Sequence, residues 1–381
     1  MNSKKNIKEL SSIGFSDIIG TGISALFWFF MASLIEPEKY GEIFFYIGIA
    51  TIVSSIVLFA GQNTLTVYIA KKIRIQSTLY LISLIAAFAG SLVLILWFYR
   101  LDIGLLVLGY VVNTLAIGEI LGKKLFTVYS KYILLQKFLF VLIGVASFYL
   151  FGPEGILYAI AFSYSVYVII IFKGLKTDNL NFLLIKEHIG FIANNYFLNI
   201  IQIVRSQIDK LIIPLVLSFT ILGNYALALQ IMAVLQLFPN IIFKYILPYD
   251  ASGQSNKKIK LFTILISIVI SISGIILAPI IVPIFLPDYI ESITAIQIMS
   301  IVVIPTSITF VITSKFLGME NSKHVLISRM IGLVLICPSM VVLGIMFEII
   351  GVAIAYVLAN TASSISLIIS NYVINTKNLQ N

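Results

Sequence analysis

Long apolar runs following one another almost without pause constrain this chain more than any other feature. Twelve stand out, near residues 13–34, 43–61, 78–99, 103–121, 132–151, 155–173, 189–216, 222–243, 261–286, 293–316, 325–346 and 350–372. A helix needs about 20 such residues to cross a bilayer. Backbone groups in hydrocarbon must be paired internally, which leaves helices or closed barrels, and the alternating pattern of a barrel strand is absent. The expected fold is therefore an all-α polytopic membrane protein. With 60% apolar and 11% charged residues, the chain lies far from an average soluble domain, which is roughly 25% charged. The connectors are too short for a soluble catalytic or nucleic-acid-binding domain. The first run is too long for a cleaved signal peptide, and a single cysteine, Cys337, cannot close an intramolecular disulfide.

The cations test this count. If the N-terminus is cytoplasmic and every run crosses, 21 of the 25 Lys and Arg residues fall on the inner side, among them Lys71, Lys72, Arg74, Lys123, Lys124, Lys131 and Lys137. Only Lys39 and Arg100 fall outside, while Arg205 and Lys210 lie within the seventh run. This asymmetry is the positive-inside bias. The net charge of +9 thus belongs to topology, and no nucleic-acid partner is expected. Both termini are expected in the cytoplasm.

The chain also overlays on itself. At an offset of 185, Asp17 meets Gln202, Thr21 meets Ser206, Ser24 meets Asp209 and Tyr40 meets Tyr225. Later, at an offset of 196, FGPEGILYA (151–159) meets FEIIGVAIA (347–355). The additional residues are expected in the loop around Ser252–Lys260. Six runs per half give parallel repeats with a substrate path between them. The expected organisation is two six-helix bundles, 1–175 and 189–381, joined by a cytoplasmic linker at 176–188, around a central polar cavity.

Charged residues in mid-membrane are expensive and usually face water or one another. At 100° per residue, Asn195, Asn199, Gln202, Arg205, Ser206 and Asp209 fall within roughly 60° of Gln202, with Lys210 just beyond. This stripe either borders an aqueous passage or reflects a structural Arg205–Asp209 pair joining two helices. Asp17, Thr21 and Ser24 make a shorter stripe in the first run, readable also as an interfacial carboxylate with its neighbours.

Other polar residues have simpler readings. Glu119 beside Lys123 reads as a surface ion pair, Gly118 and Gly122 as close packing, and Pro305 with its flanking threonines as a kink. His188 and His324 read as solvated. No metal-ligand spacing, phosphate loop or nucleophile–base pair is visible, so neither cofactor, metal nor catalytic residues are expected.

Several short motifs resemble a known family. PEKYG (37–41), GQNT (61–64) and the Lys71–Lys72 pair resemble the start of bacterial polysaccharide exporters of the Wzx type. These belong to the multidrug/oligosaccharidyl-lipid/polysaccharide exporter superfamily. The second half resembles it further, through Asp209-Lys210, LGNYALALQI (222–231), LPDYIES (286–292), FLGMENSK (316–323) and IIGVAIAYVLA (349–359). The two further helices usual in the peptidoglycan-precursor flippases of the superfamily are missing.

The resemblance implies a flippase of the bacterial cytoplasmic (inner) membrane. Its substrate would be an undecaprenyl-diphosphate-linked oligosaccharide destined for O-antigen (lipopolysaccharide), capsule or a related polymer. Polysaccharide polymerase and chain-length proteins are the implied partners beside membrane lipids. It also implies that Arg205 and Lys210 engage the diphosphate or acidic sugars. Asn195, Asn199, Gln202, Ser206, Thr21 and Ser24 are expected to bind hydroxyls. Without an ATP site, Asp17 and Asp209 are the expected carriers of H+ or Na+. The competing readings are an ion-coupled small-molecule exporter of the multidrug branch and an integral-membrane enzyme.

Overall fold

A computed structural model describes residues 3–251, 257–319 and 323–380. Every regular element among them is helical: α1 (Ser3–Ala32), α2 (Pro37–Val57), α3 (Gln62–Ala70), α4 (Gln76–Phe98), α5 (Leu101–Gly122), α6 (Phe126–Phe151), α7 (Gly155–Ser163), α8 (Val168–Leu175), α9 (Phe182–Val216), α10 (Phe219–Leu235), α11 (Leu237–Ala251), α12 (Lys257–Phe285), α13 (Ser292–Ser300), α14 (Val303–Gly318) and α15 (Lys323–Gln380). Several expected crossings are broken. The GQNT run opens α3 after a gap behind α2, a 3-10 turn over Tyr164–Tyr167 separates α7 from α8, and α10 meets α11 at 44°. Conversely, α15 is two crossings that reverse at Glu348, where φ is 49°. Joining these three broken pairs, joining α13 to α14 across Ile301–Val302, and dividing α15 gives twelve crossings.

Among the described residues, nine helices are long and apolar enough to cross a membrane, or ten with the bent pair. The α9 helix is not one of them, because Arg205, Asp209 and Lys210 interrupt its most apolar part. The outward faces carry the large apolar side chains: Ile85, Phe88, Val93, Leu96 and Trp97 on α4, and Leu265, Val269, Ile272, Ile276 and Ile280 on α12. In water such faces would be aggregation sites, whereas in lipid they are the expected surface. Along their middle turns the inward faces carry small residues instead. On α4 they are Ser83, Ala87 and Ser91, and on α12 Thr263, Ser267, Ser271 and Ala278, all buried. Small side chains let helix backbones approach closely where no hydrophobic force drives them together.

The chain forms two compact units. The first is Met1–Phe27 with Ile43–Leu211, the second Trp28–Glu42 with Ile212–Asn381. Residues 176–188 fall within the range of the first unit. Ser77 Oγ accepts the Asp178 N–H at 3.0 Å and Thr78 Oγ1 accepts that of Asn181 at 2.9 Å. The core of this unit gathers Leu65, Leu79, Tyr80, Leu115 and Ile192. Gly118 and Gly122 face the α3 backbone at Gln62 and Thr66, as close packing requires. In the second unit, a Cβ on Gly41 would strike the Phe219 carbonyl, and one on Gly223 the Pro37 carbonyl. The first turns of α2 and α10 therefore cross backbone against backbone. Tyr40 is fully buried beside them, its ring 5.7 Å from that of Tyr289.

The internal repeat is visible in the packing of each unit. Ser83, Ala87 and Gly90 on α4 recur as Ser267, Ser271 and Gly274 on α12, an offset of 184. Gly152 and Glu348, both with positive φ, recur at 196. The additional residues of the second half therefore fall after Gly274. There α12 runs to Phe285 and a 3-10 turn over Pro287–Tyr289 precedes α13, where Tyr99 and Arg100 alone join α4 to α5. The sequence reading had put them around Ser252–Lys260, of which 252–256 lie outside the described residues.

Candidate functional site

All ten residues singled out from the sequence lie in the first unit, where the two stripes meet different partners. On α1, Asp17 Oδ1 accepts the Tyr129 hydroxyl of α6 at 3.0 Å. Thr21 Oγ1 turns back to the Asp17 carbonyl at 2.7 Å, as threonines in membrane helices commonly do. Ser24 Oγ is buried and has no hydrogen-bond partner among the described residues. An absent side chain at Gly20 makes room for Lys137 of α6, whose Cγ would lie 3.4 Å from a Cβ there.

Lys137 lies further along its helix than the sequence reading placed it. Taking the fifth crossing to start at 132 put this lysine on the inner edge. In the structure α6 begins at Phe126, so Lys137 is about 17 Å along the helix at 1.5 Å per residue. The signal lay in the run itself, since Gln136 and Lys137 stand together between apolar stretches on both sides and Lys137 faces a glycine.

On α9, the stripe is only partly a single face. Asn199 packs at Gly61, where a Cβ would lie 3.7 Å from its Cγ. Tyr196, between the two asparagines, donates to the Ile56 carbonyl at 2.7 Å. Lys210 lies at the α2 side: its stem crosses Gly48, and its Nζ donates to Gln207 Oε1 at 2.5 Å. Asn195 Nδ2 caps the Phe191 carbonyl at 2.9 Å, and Ser206 Oγ the Ile203 carbonyl, also at 2.9 Å. Gln202 and Ser206 are exposed and Arg205 half-buried. Asp209 is 4% exposed, with Oδ1 accepting the Lys210 backbone N–H at 2.9 Å. The arrangement offers amides, a hydroxyl and a guanidinium along one side, with a second cation turned toward α2.

Two of the weaker sequence readings change. Glu119 is 4% exposed rather than a surface residue. Its Oε2 accepts from Gln76 Nε2 at 2.7 Å and from the Tyr80 hydroxyl at 2.8 Å, and its Oε1 pairs with Lys123. The corresponding place in the second unit, 196 residues on, is Lys315, which donates to Asn371 Oδ1 at 2.6 Å. Beside it, Asp250 pairs with Lys260 at 2.7 Å and accepts Ser314 Oγ at 2.6 Å. Pro305 lies in the first turn of α14, and the helix is interrupted just before it, at Ile301–Val302, where a proline leaves the carbonyl four residues back without its helical partner. The histidines are ring partners, His188 of Tyr68 and His324 of Phe316, each with centroids 5.3 Å apart. Among the described residues, no group of three His, Cys, Asp or Glu side chains could hold a metal ion.

No protein family's profile matches the sequence, and no curated protein matches it. Solved structures do. An inward-facing multidrug resistance MATE family transporter of the MOP superfamily is 12% identical over 94% of this chain and 95% of its own, with a TM-score of 0.73. The lipid II flippase MurJ, in an inward closed conformation, is 16% identical over 97% of this chain and 87% of its own, at 0.58. A MOP superfamily transporter from Pyrococcus furiosus, described by the reverse polarity of its binding pocket, is 14% identical over 97% and 96%, also at 0.58. Likeness at such identities is a likeness of fold. The chain is a multi-pass, all-α membrane protein with the fold of this MATE transporter and of MurJ.

Proposed function

We propose that the chain is a flippase, carrying polyprenyl-diphosphate-linked oligosaccharides from the inner to the outer leaflet of a bacterial cytoplasmic membrane. The observation that carries this reading is the polar side of α9, where Arg205 stands among Asn195, Gln202 and Ser206 within a membrane-length helix. Lys137 and Lys210 add two further cations deep within α6 and α9, against the carboxylates Asp17 and Asp209. An excess of cations favours an anionic cargo. Arg recognises phosphate oxygens in pairs and Lys supplies a point charge, while amides and hydroxyls suit sugars. The diphosphate and glycan cannot cross about 30 Å of hydrocarbon unaided, whereas the polyprenyl tail can stay in lipid.

In this reading the repeats 1–175 and 189–381, joined by 176–188, rock about a polar path, and both termini are cytoplasmic. Asp17 and Asp209 carry H+ or Na+, and a polymerase with its chain-length protein receives the product. The near-complete overlap with a MATE multidrug transporter favours a second reading, an ion-coupled exporter of small molecules. In a strain lacking the chromosomal gene, wild-type protein should restore surface glycan and Arg205→Ala should not, at equal membrane levels. Normal glycan in the deletion strain together with raised sensitivity to cationic drugs would favour the exporter.

A further inference from the structure

The inner ends of α3 and α5 are built alike. Each closes on a Lys-Lys pair whose second residue has φ 58°. Lys72 N–H donates to the Ile69 carbonyl and Ile73 N–H to that of Tyr68, both at 3.0 Å. Lys124 and Leu125 repeat the pattern on Leu121 and Ile120, again at 3.0 Å. Helices usually end this way on glycine, which adopts positive φ without strain. Here both turns keep a lysine instead.

These turns open into one cavity of about 500 Å³, whose charged lining is Lys72, Arg74, Lys123, Lys124 and Asp178. Lys123 is engaged by the buried Glu119. Among the described residues, Lys72, Arg74 and Lys124 make no ion pair or side-chain hydrogen bond. Allowing Asp178 to offset one of them leaves two positive charges uncompensated around one concave space. A general surplus of inner-side cations does not require them to converge, and Lys173 and Lys176, on the same side of the chain by sequence, do not line the cavity.

We propose that this cavity is a binding site for a phosphate group presented at the inner membrane surface, held by Lys72, Arg74 and Lys124. The guanidinium takes two phosphate oxygens side by side and the two ammoniums approach from the matching helix ends. The volume admits a phosphate with a glycerol or sugar attached, and acyl chains remain in the bilayer. The site is separate from the α9 stripe and does not rest on the cargo proposed above. The same chemistry is offered by an anionic lipid headgroup and by a soluble diphosphate.

The test uses the full chain in phosphatidylcholine nanodiscs, with fluorescent phosphatidylglycerol and radiolabelled pyrophosphate as separate probes. The variant K72N/R74Q/K124N removes the charges while keeping residues that tolerate positive φ, and K173Q/K176Q is the control. The site predicts saturable binding, weakened at least tenfold in the triple variant and unchanged in the control. Binding of phosphatidylglycerol alone identifies a headgroup site; binding of pyrophosphate that displaces the lipid identifies a diphosphate site. Absence of saturable binding by either probe, or equal weakening in the control, overturns the proposal. If the triple variant is not monodisperse, R74Q alone decides: the site requires at least threefold weaker binding, and an unchanged affinity overturns it.

Discussion

Gly152 and Glu348 hold the same place in two hairpins 196 residues apart, with φ of 71° and 49°. Three residues after each, Gly155 and Gly351 abut the carbonyls of Ser147 and Leu343, so tightly that a Cβ on either would collide. The first hairpin meets the demand for positive φ with glycine, the second with a glutamate that must strain.

Exchange at these two positions should therefore have opposite signs. Positive-φ conformations of this kind cost a non-glycine residue of order 1–3 kcal/mol. Glu348→Gly should raise the thermal unfolding midpoint in detergent, the relief exceeding the entropy that glycine adds to the unfolded chain. Gly152→Ala should lower it, although open space surrounds the new methyl.

Gly41 and Gly223 should tolerate nothing larger. Alanine at either forces α2 and α10 apart, and overpacking of this kind costs about 1–3 kcal/mol. Reduced membrane levels and a lower unfolding midpoint should follow for Gly41→Ala and Gly223→Ala. Gly22, with nothing within 4 Å of its Cβ position, should accept alanine unchanged.

Glu119 and Asp250 are structural carboxylates. Glu119→Ala strands Gln76 and Tyr80, and Asp250→Ala strands Lys260 beside Lys315. Removing one member of a buried pair such as Asp250–Lys260 costs about 3–5 kcal/mol, whereas the partly exposed Lys123 is rehydrated, so Glu119→Ala should cost less. Glu119→Gln keeps an acceptor for Tyr80 and should lose less. Unfolding midpoints of the three variants, ranked against wild type, check this.

Topology is open to labelling. In a Cys337→Ser background, Lys39→Cys should react with an impermeant maleimide added to whole cells, and Lys176→Cys only after the membrane is opened. Label at Lys176→Cys in intact cells would invert the assignment.

The fold was largely legible in the sequence because lipid imposes a simple rule: long apolar runs must be helices. What stayed hidden were breaks inside runs. The 58–61 gap, the 3-10 turn after α7 and the bend at Gln236 depend on packing, to which hydropathy is blind. The candidate site was half legible. The α9 stripe followed from 100° spacing, but that spacing does not say which neighbour a residue meets, so the turn of Lys210 toward α2 at Gly48 could not be foreseen. Lys137 was lost to a helix boundary set six residues late. Glu119 looked exposed because its partners Gln76 and Tyr80 lie about 40 residues away in sequence.

The most direct test of the transport account is made in proteoliposomes. Purified protein is reconstituted with a polyprenyl-diphosphate-linked oligosaccharide in both leaflets, and the fraction reached by a glycosidase added outside is followed. Wild-type protein should raise that fraction from about half toward completion within minutes, and Arg205→Ala should leave it near half. Wild-type vesicles that stay at half, or Arg205→Ala vesicles that match a translocating wild type, would contradict the claim that the α9 stripe moves this cargo.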